Sequence, residues 1–334
     1  MAEHVVIAVD AAGGDNGPAP VLEGIEQALQ EDKDIEIIVV GPAEVVEPFC
    51  REHERCIPQP ASEIIGMDEH PAQAVRKKKD SSIVVGCRMV KEGRAQGFFS
   101  PGSTGACLAA ATLVVGRIKG VSRPAMCTVI PSPVKPVVMC DVGANADCKP
   151  EYLLQFGQMA SSYMEKVIGV KNPKVALLNI GSEEAKGSQF AQDSFALLKE
   201  NLPNFIGNAE GCDVLWGEPD VYVTDGFTGN VCIKTIEGVS DCLFSELKKI
   251  MTKSMVNKLG ALTLKGGLKE LKETISPDNY GGAPILGVKG ACLVGHGSSN
   301  AKAVKNGIHT TAKTIRLDVS GIIANTVKQE QKSE

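Results

Sequence analysis

Aromatic residues are scarce in this sequence. Of its 334 residues, one is Trp and four are Tyr, and Phe, Trp and Tyr together make up 4%. Proteins that bind single-stranded nucleic acid stack the bases on exposed aromatic rings, so this composition argues against that function. The formal net charge of −5 argues against nucleic acid more generally, because such partners attract proteins with a basic surface. We therefore expect no nucleic-acid partner.

The sequence also lacks several well-known motifs. There is no G-x-G-x-x-G after the first predicted strand and no G-x-x-x-x-G-K-[ST], which disfavours the usual modes of nucleotide binding. There is no H-E-x-x-H or G-x-S-x-G, which disfavours zinc-dependent hydrolysis and a serine nucleophile. No apolar stretch reaches the ~20 residues that span a bilayer, and the first residues lack the pattern of a signal peptide. We expect a cytoplasmic protein.

The eleven cysteines form no C-x-x-C pair. Most of them lie in apolar runs, as Cys107 and Cys232 do, so we expect buried, reduced thiols rather than disulfides or metal ligands. A covalent intermediate on a cysteine is a lesser alternative, because no cysteine lies beside a histidine in the glycine-containing loops described below.

Apolar runs of strand length alternate with helical patterns along the chain. The predicted strands cover residues 5–9, 35–40, 97–100, 126–130, 137–139, 175–180, 221–224 and 291–294. The predicted helices cover residues 20–31, 42–54, 71–92, 104–116, 150–168, 188–200, 229–259 and 300–316. This alternation predicts an α/β fold with a doubly wound, mostly parallel sheet and right-handed crossovers. We expect one domain over residues 1–327 and a disordered tail over 328–334.

Two apolar runs, almost three hundred residues apart, stop abruptly in glycines and small polar residues at 10–15 and 295–300. Similar turns follow other predicted strands at 100–105, 141–145 and 225–230, although any one of them could be an ordinary turn with a helix cap. Carboxyl ends of parallel strands face one edge of a sheet, and glycine N–H groups approach anions closely. We therefore predict a phosphate site formed by Gly13, Gly14, Asp15, Gly297, Ser298, Ser299 and Asn300.

A series of motifs in a fixed order carries a family resemblance. The motifs are residues 8–15, 76–82, 103–106, 116–120, 141–145, 177–181, 224–230, 279–284 and 295–300. Over roughly residues 5–316 they resemble the PlsX family of bacterial phosphate acyltransferases. The sequence departs from the usual family pattern at Ala12, where Met is common, and at Ser103, where Asn is frequent.

The resemblance implies a reaction and a setting for it. The reaction is reversible transfer of a long-chain acyl group from acyl-carrier protein to inorganic phosphate, giving acyl phosphate for phospholipid synthesis. The implied fold is like that of isocitrate and isopropylmalate dehydrogenases and of phosphotransacetylase. A homodimer is also implied, as is a membrane glycerol-3-phosphate acyltransferase that receives the product.

This chemistry needs no protein nucleophile, because phosphate is itself nucleophilic near neutral pH. The enzyme must hold the anion against the thioester, stabilise an oxyanion and help the thiolate leave. The polar candidates for these tasks are His296, Lys186, Asn179 and Asn230, and supporting roles fall to Asp10, Ser103, Thr104 and Asp225. We expect no cofactor. A divalent cation joining Asp10, Asp15 and Asp225 to phosphate is a lesser alternative.

Acyl-carrier protein is acidic, so a chain of net charge −5 needs a local basic patch to dock it. One candidate patch is Arg76, Lys77, Lys78 and Lys79, for which a solvated helix face is the alternative. The other is Arg117, Lys119 and Arg123.

Residues 241–275 carry an apolar stripe at helical spacing and seven lysines between Lys248 and Lys272. The stripe predicts a protruding helical hairpin, broken at Gly260 and at 266–267, that packs on a second copy. We also expect its tip, at Leu259, Leu262 and Leu264, to enter anionic lipid, which would place the protein peripherally on the inner face of the cell membrane.

Three other functions compete with this reading. They are a decarboxylating dehydrogenase of the isopropylmalate type, a short-chain phosphotransacetylase that uses acyl-CoA, and a non-catalytic scaffold that senses phosphate or lipid.

Overall fold

The structure, a computed structural model, describes residues 4–330 of the chain. The strands are β1 (Val5–Asp10), β2 (Ile35–Gly41), β3 (Cys56–Pro60), β4 (Gly97–Ser100), β5 (Ala125–Ile130), β6 (Val137–Cys140), β7 (Val175–Asn179), β8 (Phe205–Glu210), β9 (Val221–Val223), β10 (Ala283–Leu286) and β11 (Ala291–Val294). The helices are α1 (Ala19–Glu31), α2 (Ala43–Glu52), α3 (Pro71–Lys77), α4 (Ser82–Lys91), α5 (Thr104–Ala110), α6 (Pro150–Tyr163), α7 (Gln189–Asn201), α8 (Gly226–Thr252), α9 (Met255–Thr274), α10 (Ala301–Arg316) and α11 (Val319–Glu330).

Within residues 4–330 these strands form one sheet in the order β3-β2-β1-β4-β11-β10-β5-β6-β9-β7-β8. The five strands from β3 to β11 are mutually parallel, and so are the four from β6 to β8. Between these halves, β10 and β5 pair antiparallel with each other and with their outer neighbours. The expected mostly parallel α/β sheet is confirmed, and the closer likeness to the dehydrogenases stays a prediction.

The two halves of the sheet run in opposite directions. Each of the three antiparallel pairings reverses the strand direction once, so β6, β9 and β7 run against β1, β4 and β11. Within the described residues β10 and β5 are joined through Ile285–Met126 and Leu286–Ala125 alone, which makes this pairing the narrowest in the sheet.

Branched aliphatic residues explain the layered packing. The strands β1 and β2 are buried along nearly their whole length, as expected when helices cover both faces of a parallel sheet. On one face, α1 and α10 approach so closely that a side chain at Gly24 would overlap Val304. Each fully buried aliphatic side chain contributes about 1.5–3 kcal/mol, so these clusters supply the main driving force for folding.

Several element boundaries differ from the sequence prediction. The helix predicted at 71–92 is two helices, α3 and α4, separated at 78–81. The strands β3 and β8 were not predicted; they lie at the two edges of the sheet, where few of their side chains are buried. Residues 328–330 of the predicted tail belong to α11, which runs to Glu330 and packs its preceding turns into the core; the rest of the predicted tail, 331–334, lies outside the described residues.

The helical hairpin is α8 and α9, which is longer than the predicted 241–275 and reverses at a different place. The chain turns at Lys253 and Ser254, where Ser254 Oγ accepts a hydrogen bond from Asn257 N. The predicted glycine breaks are wrong, because an exposed glycine costs a helix only ~1 kcal/mol and Ser254 already provides a helix cap.

The three leucines predicted for the hairpin tip, Leu259, Leu262 and Leu264, are exposed on α9 beyond the reversal rather than at it. Along the whole of α9 no described residue is buried. No helix within residues 4–330 is long and apolar enough to cross a membrane.

Candidate active site

The loops after β1 and β11 lie against each other, as the sequence predicted. Asp15 N donates to Gly297 O at 2.7 Å, and Asn16 Nδ2 reaches Ser298 O at 3.5 Å. The loop after β4 joins them, because β4 lies between β1 and β11. Residues 10–16, 100–104 and 295–300 are called the first loop cluster below.

A buried carboxylate organises the first loop cluster. Asp10 Oδ1 accepts hydrogen bonds from Ala12 N and Gly13 N, both at 3.0 Å, and Asp10 Oδ2 accepts one from Ser100 Oγ at 2.7 Å. Ser100 Oγ in turn accepts from Gly102 N. Burial raises the pKa of Asp10, and these hydrogen bonds oppose that shift. Asp10 is therefore a structural residue: its carboxylate holds the conformation of the loops and does not face a ligand.

Glycine is required at the points of closest approach. A side chain at Gly13 would come within 2.6 Å of Asp10 Oδ2 and 2.8 Å of Gly102 N. Gly14 has φ +95°, a conformation that favours glycine, and a side chain there would meet Gly297 O at 3.2 Å. Among the described residues, neither Gly14 N–H nor Gly297 N–H has a hydrogen-bond partner. Two unused backbone donors thus lie in adjoining loops, the arrangement that suits a bound anion.

The contacts of His296 determine which ring nitrogen carries its proton. Ser298 N–H donates to His296 Nδ1 at 3.3 Å, and Ser298 Oγ lies 2.8 Å from the same nitrogen. A backbone N–H can only donate, so Nδ1 accepts and the neutral ring carries its proton on Nε2. The side chain is exposed. His296 Nε2–H is therefore available as a donor to a ligand above the loop.

Other polar residues of this cluster already have structural partners. Asn300 caps α10 by accepting from Ala303 N, and its amide donates to Asp278 Oδ2. Ser299 Oγ donates to His296 O at 2.6 Å. Ser103 is buried just before α5 and Thr104 is exposed on its first turn. Because Asn300 caps α10, the N-terminus of this helix, which carries the positive end of the helix dipole, lies at the first loop cluster.

A second loop cluster, residues 141–148, 179–187 and 225–231, follows β6, β7 and β9. Asp141 Oδ1 accepts from Met126 N and Ala144 N, and Oδ2 accepts from Asn145 N and Asn145 Nδ2, over 2.7–3.1 Å. Burial raises the pKa of Asp141, as it does for Asp10. Gly226 N donates to Asn145 O at 2.7 Å, which fixes the start of α8.

Three of the four predicted catalytic residues belong to the second loop cluster. Asn230 is exposed on the first turns of α8, beside Gly143. Asn179 Nδ2 donates to Lys186 O at 3.2 Å, and Lys186 Nζ lies 3.9 Å from Glu183. Asp225 is the N-cap of α8, accepting from Thr228 N and Thr228 Oγ1.

Exposed apolar side chains flank these polar groups. Ile180 follows Asn179 and is 80% exposed, and Phe227, on the turn before Asn230, is 66% exposed. Val231 is exposed on the same helix face as Phe227, four residues along. The second loop cluster thus combines amide donors with an apolar rim.

One cysteine, Cys148, lies at this cluster and bears on the acyl-cysteine alternative. Its Sγ is 3.4 Å from Asn145 O. Burial raises the pKa of the Cys148 thiol to about 12, which disfavours the nucleophilic thiolate. Of the other cysteines, Cys87, Cys107, Cys127, Cys140 and Cys292 are buried, whereas Cys212 and Cys242 are exposed.

The expectation that all these loops face one edge of the sheet is wrong. The strands of the second loop cluster run against those of the first, so His296 leaves one edge and Asn179 and Asn230 leave the other. No hydrogen bond or ion pair of the described chain joins the clusters. Neighbouring strands are rotated by about 20–25°, so the strand axes turn by about 60–75° over the three steps from β11 to β6.

A sequence signal for this reversal exists. The predicted strands at 126–130 and 137–139 are joined by a short loop, whereas a parallel pair needs a crossover of a dozen residues or more. The two strands therefore had to be antiparallel. The organising residues Asp141 and Asn145 were also missed as site residues, although Asp141 ends a buried strand before a glycine turn, as Asp10 does.

Both predicted basic patches are on the surface, one near each cluster. Arg76 and Lys77 are exposed at the end of α3, which packs against α5. Lys78 is less available, because its Nζ pairs with Glu69 at 2.6 Å. Arg117, Lys119 and Arg123 are exposed on the segment before β5.

The metal alternative required Asp10, Asp15 and Asp225 to meet. Asp225 belongs to the second loop cluster and the other two to the first. Over the described part of the chain, no group of three or more His, Cys, Asp or Glu side chains is placed to hold a metal ion. The expectation of no cofactor stays a prediction.

Comparison with known families assigns the chain. Residues 5–321 match the model of a family described as "Fatty acid synthesis protein". A protein of Desulfitobacterium hafniense named phosphate acyltransferase is 48% identical over 97% of each chain. Relatives with that name from Clostridium perfringens and Bacillus licheniformis are 46% and 43% identical over 97% of this chain and 97% and 98% of their own. The chain belongs to this family. Its expected identity as an acyltransferase enzyme is confirmed.

Solved structures share the fold. A phosphotransacetylase of Streptococcus pyogenes aligns with a TM-score of 0.61 at 16% identity, covering 95% of each chain. A branched-chain phosphotransacylase of Enterococcus faecalis aligns with a TM-score of 0.58 at 14% identity, covering 93% of this chain and 99% of its own. At such identities the likeness concerns the fold alone.

Proposed function

We propose that the chain transfers a long-chain fatty acyl group from acyl-carrier protein to inorganic phosphate, reversibly, by direct attack of phosphate on the thioester. One observation carries this proposal. Two unpaired backbone donors, Gly14 N–H and Gly297 N–H, lie in loops that are hydrogen-bonded together beside His296 Nε2–H and the N-terminus of α10. All four groups favour a bound oxyanion.

The first loop cluster is the proposed phosphate site. Gly13, Gly14 and Asp15 form one wall and residues 297–300 form the other, with the backbone supplying most donors. In this proposal Asp15 contributes through its backbone N–H, which ties the two loops by donating to Gly297 O. Phosphate held by uncharged donors keeps a nucleophilic oxygen, whereas a dense set of cations would lower its reactivity.

The second loop cluster is the proposed acyl side of the reaction. Asn230 and Asn179 present amide groups, Lys186 presents a cation to the leaving thiolate, and Ile180 and Phe227 offer apolar surface to the acyl chain. A single well-placed oxyanion donor contributes about 3 kcal/mol to the barrier reduction.

The proposed partners of the protein are assigned from its exposed basic and apolar residues. The basic residues near each cluster, Arg76 and Lys77 on one side and Arg117 and Arg123 on the other, are proposed to dock the acidic carrier protein. The unburied faces of α8 and α9 are proposed to pack on a second copy, with Leu259, Leu262 and Leu264 reaching anionic lipid. A peripheral enzyme of this kind could pass its acyl phosphate to a membrane glycerol-3-phosphate acyltransferase.

The deciding experiment follows loss of acyl-carrier thioester with and without phosphate, and traps acyl phosphate with hydroxylamine. Phosphate-dependent loss with long chains supports the proposal. A preference for short acyl-CoA would favour a phosphotransacetylase instead, and tight phosphate binding without turnover would favour a scaffold.

The proposed residue roles are tested in the same assay with His296→Ala and Lys186→Ala. We expect kcat to fall by about 10²–10³ for loss of an oxyanion donor. Wild-type rates in both variants would remove these residues from the mechanism.

A further inference from the structure

A pocket of about 560 Å³ lies outside both loop clusters. It is formed by the end of the α5 segment, the loop before β5 and the first turn of α6, with Leu113, Arg117, Arg123 and Tyr152 among its lining residues. No carboxylate lines it. The pocket therefore has a net positive lining in a protein whose overall charge is −5.

The two arginines are held in place without being neutralised. An Arg117 guanidinium nitrogen donates to Ser122 O, and the Arg123 guanidinium lies over the Tyr152 ring, 5.9 Å from its centre. Within residues 4–330 neither arginine forms an ion pair. Two guanidinium groups that line one pocket and form no ion pair within the described residues offer the N–H donors that bind phosphate through paired hydrogen bonds.

The pocket adjoins the second loop cluster through its backbone. Pro124, which lines the pocket, accepts a hydrogen bond through its carbonyl from Asn145 Nδ2 at 2.9 Å. The same Asn145 amide donates to Asp141, and Asn145 O accepts from Gly226 N at the start of α8. A ligand bound at the arginines would therefore lie next to the loops that carry Asn230.

We propose that this pocket binds the phosphodiester of the pantetheine arm through which the acyl chain is delivered, an inference that rests on the proposed function. An acyl-carrier thioester has one phosphodiester, at the foot of a flexible arm whose other end is the sulfur. Arg117 and Arg123 hold that phosphate, Leu113 and Tyr152 contact the arm, and the thioester extends into the second loop cluster. Acyl-CoA carries a diphosphate at the same end of its pantetheine arm, so the experiment separates the donors.

The test compares the wild type with Arg117→Gln/Arg123→Gln on three donors: acyl-carrier protein, acyl-CoA and acyl-pantetheine, which has no phosphate. We expect KM for acyl-carrier protein to rise by about tenfold for each arginine lost, with kcat nearly unchanged. KM for acyl-pantetheine should stay the same. A smaller rise for acyl-CoA than for the carrier is expected if its other phosphates bind elsewhere. Arg51→Gln, an exposed arginine on α2, is the matched control.

Two kinetic results would overturn the inference. A rise in KM for acyl-pantetheine equal to the rise for acyl-carrier protein would show that the arginines do not recognise the phosphate. A rise confined to KM for inorganic phosphate would assign the pocket to the second substrate.

Binding of 4′-phosphopantetheine and pantetheine, measured by calorimetry, decides the inference independently of turnover. The wild type should prefer the phosphorylated compound and the double variant should lose that preference. If the wild type shows the preference without any acyl transfer, the proposed function fails and the pocket assignment survives. If the wild type shows no preference, the pocket assignment fails whatever the activity.

Discussion

Replacing Gly14 by Ala tests the phosphate site with one added methyl group. Gly14 has φ +95°, and the added Cβ would lie 3.2 Å from Gly297 O, across the junction of the two loops. A residue other than glycine in this conformation costs about 1–3 kcal/mol. The loops relieve this strain by moving apart, which displaces the unpaired N–H groups of Gly14 and Gly297.

The expected effect follows from the hydrogen bonds that are lost. One backbone N–H bonded to a charged oxygen contributes about 1.5–3 kcal/mol, so KM for phosphate should rise by about 10- to 150-fold. KM for the acyl donor should change little, because the methyl group lies in the first loop cluster. Initial rates at varied phosphate and at varied acyl donor, with hydroxylamine trapping of the product, measure the two constants.

Gly17→Ala is the matched control. Gly17 lies in the same loop with φ +67°, but a side chain there would meet nothing within 4 Å. It imposes the same kind of backbone strain without separating the two loops, so it should lower stability and leave KM for phosphate near the wild-type value. If the two variants raised this KM equally, the phosphate would not be held where these loops meet.

Three further outcomes are expected. His296→Ala and Asn230→Ala should each slow turnover. Because we propose that both residues act on one transition state, the double variant should be slowed by less than the product of the two single effects; a slowing equal to that product would mean that they act independently. Arg316→Met removes the paired hydrogen bonds that lower the pKa of Asp32, so the variant should be less stable than the wild type at neutral pH, by about 1–2 kcal/mol. Because a lowered carboxyl pKa stabilises the fold above the unfolded value of 3.8, that difference should shrink as pH falls below 4, and a constant difference in urea titrations would contradict it. Leu262→Glu should reduce flotation with anionic liposomes, and undiminished flotation would exclude this leucine from lipid contact.

The sequence predicted the first loop cluster because local signals and topology agree there. Buried β1, β4 and β11 are parallel neighbours, so turns following them had to meet. Glycines at 13, 14 and 297 then identified the points of closest approach. The contacts of Asp15 N and Gly297 O bear this out.

The same reasoning failed for the second loop cluster because periodicity gives a strand no direction. The strand β10 (Ala283–Leu286) is short, follows two glycines and contains Pro284, so its sequence resembles a loop. The two reversals at β10 cancel, so β5 runs in the same direction as β11, and the antiparallel pairing of β5 with β6 is the one that reverses the second half. In the hairpin, glycine content was a weaker guide than the cap at Ser254, because exposed α9 tolerates glycine.

The short pairing of β10 with β5 has a mechanical consequence. Every other pair of adjacent strands is linked over a longer stretch, so a change in angle between the two halves meets least resistance at Ile285–Met126 and Leu286–Ala125. We expect a rotation about this pairing to change the position of the first loop cluster relative to the second while each half stays rigid. We expect any difference in angle between the two halves to be concentrated at this pairing.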